Sequence, residues 1–407
     1  MSITIYPQVS PTPIAFSDGE VDAFGRLRVS NPYTLFDSQN RYNADAAFDT
    51  NTVGSGTATY QANRAAIDMS VTAASGDSVV RQTFRNMHYQ PGKSLLILAT
   101  FSMATGKTGL QQRVGYFNTQ NGVYLQQKDG VLSFVIRSYT SGAVVETVVQ
   151  QSNWNGDKLN GTGSSGITID VTKTQILYID LEWLGVGAVR CGLVLNGNYV
   201  LCHTFYNANN QSYVYMTTAV LPVRYEITNT AVTSGASTLQ QICSTVISEG
   251  GYEQTSQEYY ARNTTAITVG TTFQPLVSIR LNSSKLGAVV IPARIAFLPI
   301  GTGNYEIALI KNGVLTGASW VTGTFSNVDY DISSTAMTYT AANIAQIDYA
   351  TSSNQAQSSI IAPTGYNFEL QIGTSLAGVS DVWTLAARTL AATNTCIGSL
   401  AFWDLTL

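Results

Sequence analysis

Ala188-Val-Arg-Cys-Gly-Leu-Val-Leu-Asn-Gly-Asn-Tyr-Val-Leu-Cys-His-Thr-Phe205 reads as two strands closed by a two-residue turn. Asn196-Gly197 tolerates the positive φ that a type I′ turn needs at both central positions, and the flanks are rich in residues that suit a pleated, half-buried surface. Pairing outward from the turn sets Cys191 directly opposite Cys202.

The same grammar recurs on both sides of this hairpin. Leu177, Ile179, Leu181 and Trp183 alternate with Tyr178, Asp180 and Glu182, and Leu221-Pro-Val-Arg-Tyr-Glu-Ile227 sets Arg224 and Glu226 against an apolar face. Each pattern predicts a strand with one face in a core and one in water. Leu132, Phe134 and Ile136 repeat it, and Asn121-Gly122, Asp129-Gly130 and Asn312-Gly313 supply further turn dipeptides. Leu239 to Ile247 ends in β-branched Thr245, Val246 and Ile247, which favours strand over helix. Val382 to Ala392 leaves room for one short helical piece.

A chain of 407 residues exceeds what one core usually organises, so more than one domain is expected. With 34 glycines, 22 tyrosines and 44% hydrophobic residues, the composition suits many short strands. We therefore expect an all-β protein: an extended N-terminal arm (1–44), an antiparallel jelly-roll or lectin-like sandwich (45–251), a linker (252–264) marked by Gly250-Gly251 and a polar run, and a second, smaller β-sandwich (265–407). In the latter, strands are predicted at Phe273 to Leu281, Ala288 to Leu298 and Tyr305 to Ile310. No fixed-period repeat supports a solenoid or propeller.

In the arm, Phe24, Leu27, Val29, Tyr33, Leu35 and Phe36 are interrupted by Gly25, Arg26, Arg28 and Asn31-Pro32, so no periodicity lasts. These side chains need a surface to cover them. The run Phe24-Gly-Arg-Leu-Arg-Val-Ser-Asn-Pro-Tyr-Thr-Leu-Phe-Asp-Ser38 resembles an N-terminal signature of virion structural proteins of large tailed bacteriophages. Trp154-Asn-Gly-Asp-Lys158, Ile179 to Gly187, His203-Thr-Phe205 and Leu221 to Ile227 follow in the order associated with that family. The resemblance spans roughly residues 20 to 260 and implies a place in a virion, assembled in the host cytoplasm from repeated copies. By analogy with phage fibres and decoration proteins, trimers are the expected oligomer. The expected docking residues are Phe24, Arg26, Leu27, Arg28, Val29, Tyr33, Leu35 and Phe36, with the apolar members filling a groove on another virion protein and the arginines pairing with carboxylates at its rim. The alternative is that the segment packs on its own first sandwich.

Only 11% of residues are charged, against about 25% in an ordinary soluble domain. A surface built from amides, hydroxyls and tyrosine is cheaper to desolvate against a neighbour. Net charge is −4 with basic residues scattered, which argues against phosphate-backbone binding to nucleic acid. No run approaches a membrane span, and the N-terminus lacks the pattern of a secretory signal.

Candidate chemistry is sparse. Cys191, Cys202, Cys243 and Cys396 lack zinc spacing, and free thiols are expected. Gly161-Thr-Gly-Ser-Ser-Gly166 matches dinucleotide-fingerprint letters, but Ile167-Thr-Ile-Asp170 leads into a strand where a helix would be required. No cofactor is expected. His88 and His203 read as satisfied core or interface residues. Asp180 and Glu182 share a strand face, as glycosidase carboxylates do, but Tyr178 stands where the nucleophile belongs, and a solvated face is the expected reading. The five tryptophans read as core, although such rings also stack on sugars. The function expected is a non-enzymatic virion component, in capsid decoration, neck, tail or fibre. A host-surface glycan-binding adhesin is the alternative, and a glycan depolymerase a third.

Overall fold

The computed structural model describes residues 21–23, 27–29, 31–253, 255–324, 326–353, 356–357, 360–361 and 368–406. All the sheets are antiparallel, and the helical elements among these residues are four single 3₁₀ turns. Val382–Thr389, where a helical piece had room, is a strand between Gln274–Leu281 and Gly303–Lys311. Tertiary pairing on both edges outweighs its helix-compatible alanines.

In the first sandwich an eight-stranded sheet faces a seven-stranded one. The eight-stranded sheet runs in the order Asn198–Phe205, Val189–Leu195, Gln175–Leu181, Ser94–Ser102, Ser237–Glu249, Ala66–Val71 and Thr57–Gln61, with Tyr33–Gln39 pairing alongside Ser237–Glu249. Its partner runs Val145–Gln150, Val131–Ser138, Gly122–Lys128, Leu110–Phe117, Val223–Asn229, Ser78–Thr83 and Phe48–Val53. The inward residues of the alternating patterns, among them Leu177, Ile179, Phe134 and Tyr225, make one buried cluster, as their period requires.

The second sandwich packs a five-stranded sheet, centred on Val290–Pro299 and Asn394–Asp404, against a seven-stranded sheet centred on Gln274–Leu281, Val382–Thr389 and Gly303–Lys311. Glu258–Arg262, assigned from sequence to a linker, is a strand of this sandwich paired with Asn394–Asp404.

The two sandwiches share apolar packing. Val289, Ile291, Phe368 and Leu405 belong to the first sandwich's cluster. Arg85 donates to the Phe368 carbonyl at 2.5 Å and to Glu369 at 3.0 Å, while Thr374 N–H donates to the Phe84 carbonyl at 2.8 Å.

The hairpin that opens the sequence reading has the expected turn, with Asn196 and Gly197 at φ +52° and +78°. Its register holds from Leu195–Asn198 to Gly192–Leu201 and then slips, so that Cys191 faces His203 and not Cys202. The extra residue is Cys202, a bulge in Asn198–Phe205 opposite the Cys191–Gly192 step. Across from it, a Cβ on Gly192 would lie 2.1 Å from the Val200 carbonyl and 2.6 Å from the Tyr178 ring, so a glycine stands where backbone and ring approach the strand closely. Both cysteines are buried free thiols.

Candidate functional site

The arm residues separate into three groups. Phe24 and Arg26 lie outside the described residues. Leu35 and Phe36 are buried in the first sandwich's own core, and Tyr33 packs against it. The Tyr33–Gln39 strand pairs along Cys243 to Ser248 of Ser237–Glu249, so these three residues are covered by their own chain and do not form a free docking patch. Leu27 and Val29 are exposed, at 46% and 85%.

Arg28 does pair with carboxylates, but they are its own chain's. It reaches Asp180 at 2.5 Å and Glu249 at 2.8 Å, while its Nε–H donates to the Val21 carbonyl. Arg190 donates to the Val21 and Asp22 carbonyls, so Val21, Asp22 and Arg28 lie over the outer face of the eight-stranded sheet. Asp180 is therefore fully buried, and Glu182 nearly so, contrary to the solvated face read from sequence. Asp180 also accepts from Ser94 Oγ at 2.5 Å. Burial still pushes its carboxyl above the usual range, against the lowering by Arg28, Ser94 and Arg190.

The other predicted wet face is likewise closed. Arg224 and Glu226 are 8% exposed. Arg224 pairs with Glu226 at 2.9 Å, Arg113 with Glu226 at 3.2 Å and Arg137 with Glu146 at 2.7 Å. The guanidinium groups lie over the Phe117 and Tyr124 rings, within 5.2 to 5.6 Å of their centroids. Period two places these side chains on the outer face, but it carries no information about cross-strand stacking that keeps water away.

His203 is buried against Phe205, and its Nδ1 accepts the Asn155 N–H at 3.3 Å. The 161–166 segment is a loop folded over Asp157, which accepts the Ser165 N–H at 2.6 Å. No group of three or more potential metal ligands occurs among the described residues.

What the residues do build is a cleft of about 1230 Å³ between the sandwiches. One wall comes from the loop after Ser78–Thr83, the turn at 118–121, Trp183 and residues 217–220. The other comes from residues 283–288, 374–376 and 405–406. Its lining is dominated by amides and hydroxyls, including Asn118, Gln120, Asn121, Thr217, Ser284 and Thr374.

Internal hydrogen bonds hold these groups in place. Buried Asn121 donates to Thr217 Oγ1 at 2.7 Å and accepts the Thr217 N–H at 3.0 Å. Asn118 Oδ1 accepts the N–H groups of Gln120 and Asn121, both at 2.8 Å. Trp183, read from sequence as core, is half-buried in the cleft wall; its indole N–H donates to the Met216 carbonyl and its ring stands edge-on to Tyr89 at 6.1 Å. His88 lines the cleft beside Tyr252, with Nδ1 2.7 Å from the Tyr252 hydroxyl, and burial lowers its pKa to about 4. The sequence signal for this site was weak: a tryptophan just past a strand end, and an Asn-Gly turn preceded by Asn118-Thr-Gln.

No family model and no curated protein matches this chain. Among solved structures, the carbohydrate recognition domain of Emp47p is 10% identical, with 53% of this chain and 95% of that one covered at a TM-score of 0.33. A protein of unknown function from Shewanella oneidensis MR-1 is 9% identical over 60% of this chain and 100% of its own, at 0.37. A legume lectin-like domain from Entamoeba histolytica is 9% identical over 51% and 91%, at 0.29. The all-β assignment stands on the antiparallel sheets themselves.

Proposed function

We propose that this protein is a non-enzymatic structural component of a tailed-phage virion and that the cleft between its sandwiches is its contact with a saccharide. The observation that carries the saccharide reading is the cleft: a large, preorganised array of neutral donors and acceptors beside an oriented indole, which is the chemistry that recognises hydroxyl-rich ligands. The place in a virion is supported by the ordered motifs from Phe24 to Ile227. With Tyr33, Leu35 and Phe36 already used internally, attachment falls, among the described arm residues, to exposed Leu27 and Val29.

Binding without turnover fits the groups in the cleft. Glycoside hydrolysis generally uses two carboxyl groups, and Glu253 is the one carboxylate among the described lining residues. Asp180 and Glu182 do not line it. His88, with its pKa near 4, is neutral at pH 7 and is tied to Tyr252.

A glycan array probed with the full chain and with Trp183→Ala tests the saccharide reading. Retained signal on a defined set of glycans, lost in the variant, is expected; a blank array for the parent protein overturns it. Labelling of purified particles by an antibody to the protein tests the virion placement, and unlabelled particles refute it.

A further inference from the structure

We infer that the saccharide taken by the cleft is anionic, carrying carboxylate or phosphate groups; this rests on the saccharide reading and refines it. The charged side chains among the described lining residues are Lys93, Arg224 and Lys285 against Glu253, an excess of two positive charges in a chain whose net charge is −4. This bias is local and opposes the sign of the whole molecule.

The cations differ in availability. Arg224 is committed: Glu226 takes it at 2.9 Å and Gln82 at 2.9 Å. Lys93, on the first sandwich's wall, donates to Gln90 Oε1 at 3.2 Å and stands 3.8 Å from Glu253, whose side chain is 77% exposed. A carboxylate so far into solvent holds a lysine weakly and is readily displaced. Lys285, on the second sandwich's wall, is exposed, and among the described residues no carboxylate pairs with its ammonium group. Two ammonium groups on opposite walls of a cleft otherwise lined by amides and hydroxyls are placed to receive negative charge on a chain threaded between them. Lysine acts as a point charge and accepts carboxylate and phosphate alike, so the shared chemistry is an anionic sugar chain. Few phosphate contacts are available, which sets nucleic acid apart.

The test is an array of matched pairs probed with the full chain: polyuronates and polysialate beside their carboxyl-reduced forms, phosphomannan beside its dephosphorylated form, and unrelated neutral glycans. We expect at least one anionic member to bind about tenfold more tightly than its neutral partner, the gain expected of two charge contacts, one to half-buried Lys93 and one to exposed Lys285. Lys285→Gln and Lys93→Gln should each remove part of that preference, as should raising the salt. Preference for the uronate or the phosphate pair identifies the anion. Equal binding within every pair overturns the inference while leaving the saccharide reading intact, and absence of binding to charged and neutral glycans alike overturns both. Trp183→Ala, which keeps both lysines, should weaken both members of a bound pair by the same factor; a selective loss of the anionic member would locate the preference elsewhere.

Discussion

Replacing Arg28 by Met tests how the N-terminal segment is held. The side chain of Arg28 is 15% exposed, whereas that of Asp180 is fully buried. Removing one partner of a buried pair strands the other charge, at a cost of about 3–5 kcal/mol. Here Ser94 and Arg190, the latter 3.7 Å away, remain to Asp180, and the access of water to Arg28 lowers the value further. We expect Arg28→Met to lose about 2–3 kcal/mol at pH 7. Asp180→Asn should lose less, because Arg28 retains Glu249 at 2.8 Å. The double variant should be more stable than the sum of the single losses implies, by about 2 kcal/mol.

The pH dependence gives a second readout of the same pair. Burial already raises the Asp180 carboxyl above its usual range, and Glu249 is displaced the same way. Losing Arg28 raises both further. A carboxyl whose folded pKa is raised favours the fold when protonated and loses that contribution as pH rises through the folded value. The Arg28→Met penalty should therefore be greatest at neutral pH and shrink towards pH 4. Urea unfolding followed by tryptophan fluorescence at both pH values measures it. Additive single losses together with a penalty independent of pH would refute the reasoning.

Three further outcomes are expected. His88, lowered to about 4 by burial, resists protonation in the fold, so stability is full above pH 6.5 and falls as pH drops towards 4, by up to about 3 kcal/mol; His88→Asn should flatten that part of the stability curve. Cys243 is exposed while Cys191, Cys202 and Cys396 are buried, with Cys202 and Cys396 pushed up to about 12, so a thiol reagent should find one fast thiol in the native protein and four in denaturant. Gly122 stands at φ +146° and a Cβ on it would meet Phe117 Cβ at 2.1 Å, so Gly122→Ala should lower stability by about 2–3 kcal/mol in the same urea experiment.

The strands were legible because period two and turn chemistry are local. Asp129-Gly130 and Asn196-Gly197 both carry the positive φ pair that their letters suggest. At Asn121-Gly122 only the glycine does, because the hairpin turns through residues 118–121 and Gly122 already pairs with Phe117. What lies across strands was not legible. Alternation put Arg224, Glu226, Asp180 and Glu182 on outer faces, correctly, but their burial comes from partners far along the chain: Arg28 is 152 residues from Asp180, and Arg113 is 113 from Glu226. The bulge at Cys202 did leave a mark across from it, a glycine inside a strand, whose meaning depended on a tyrosine one strand away. The cleft left almost none, since its walls are loops from both halves of the sequence.

That dispersion bears on how the cleft works. Neither sandwich encloses it alone, and its shape depends on the seam where Arg85 crosses to Phe368, Gln371 donates to the Asn86 carbonyl at 2.9 Å and the Leu376 N–H donates to Asp49 at 2.7 Å. The seam is apolar at its centre, where Tyr252 packs against Tyr33 and Phe368 at 5.4 and 5.2 Å. The Tyr33 strand thereby supports the seam from the first sandwich, and the arm's internal packing and the cleft's geometry become parts of one arrangement. A ligand touching both walls gains affinity only while that seam is closed, so binding must stabilise the seam by the same free energy that the closed seam lends to binding.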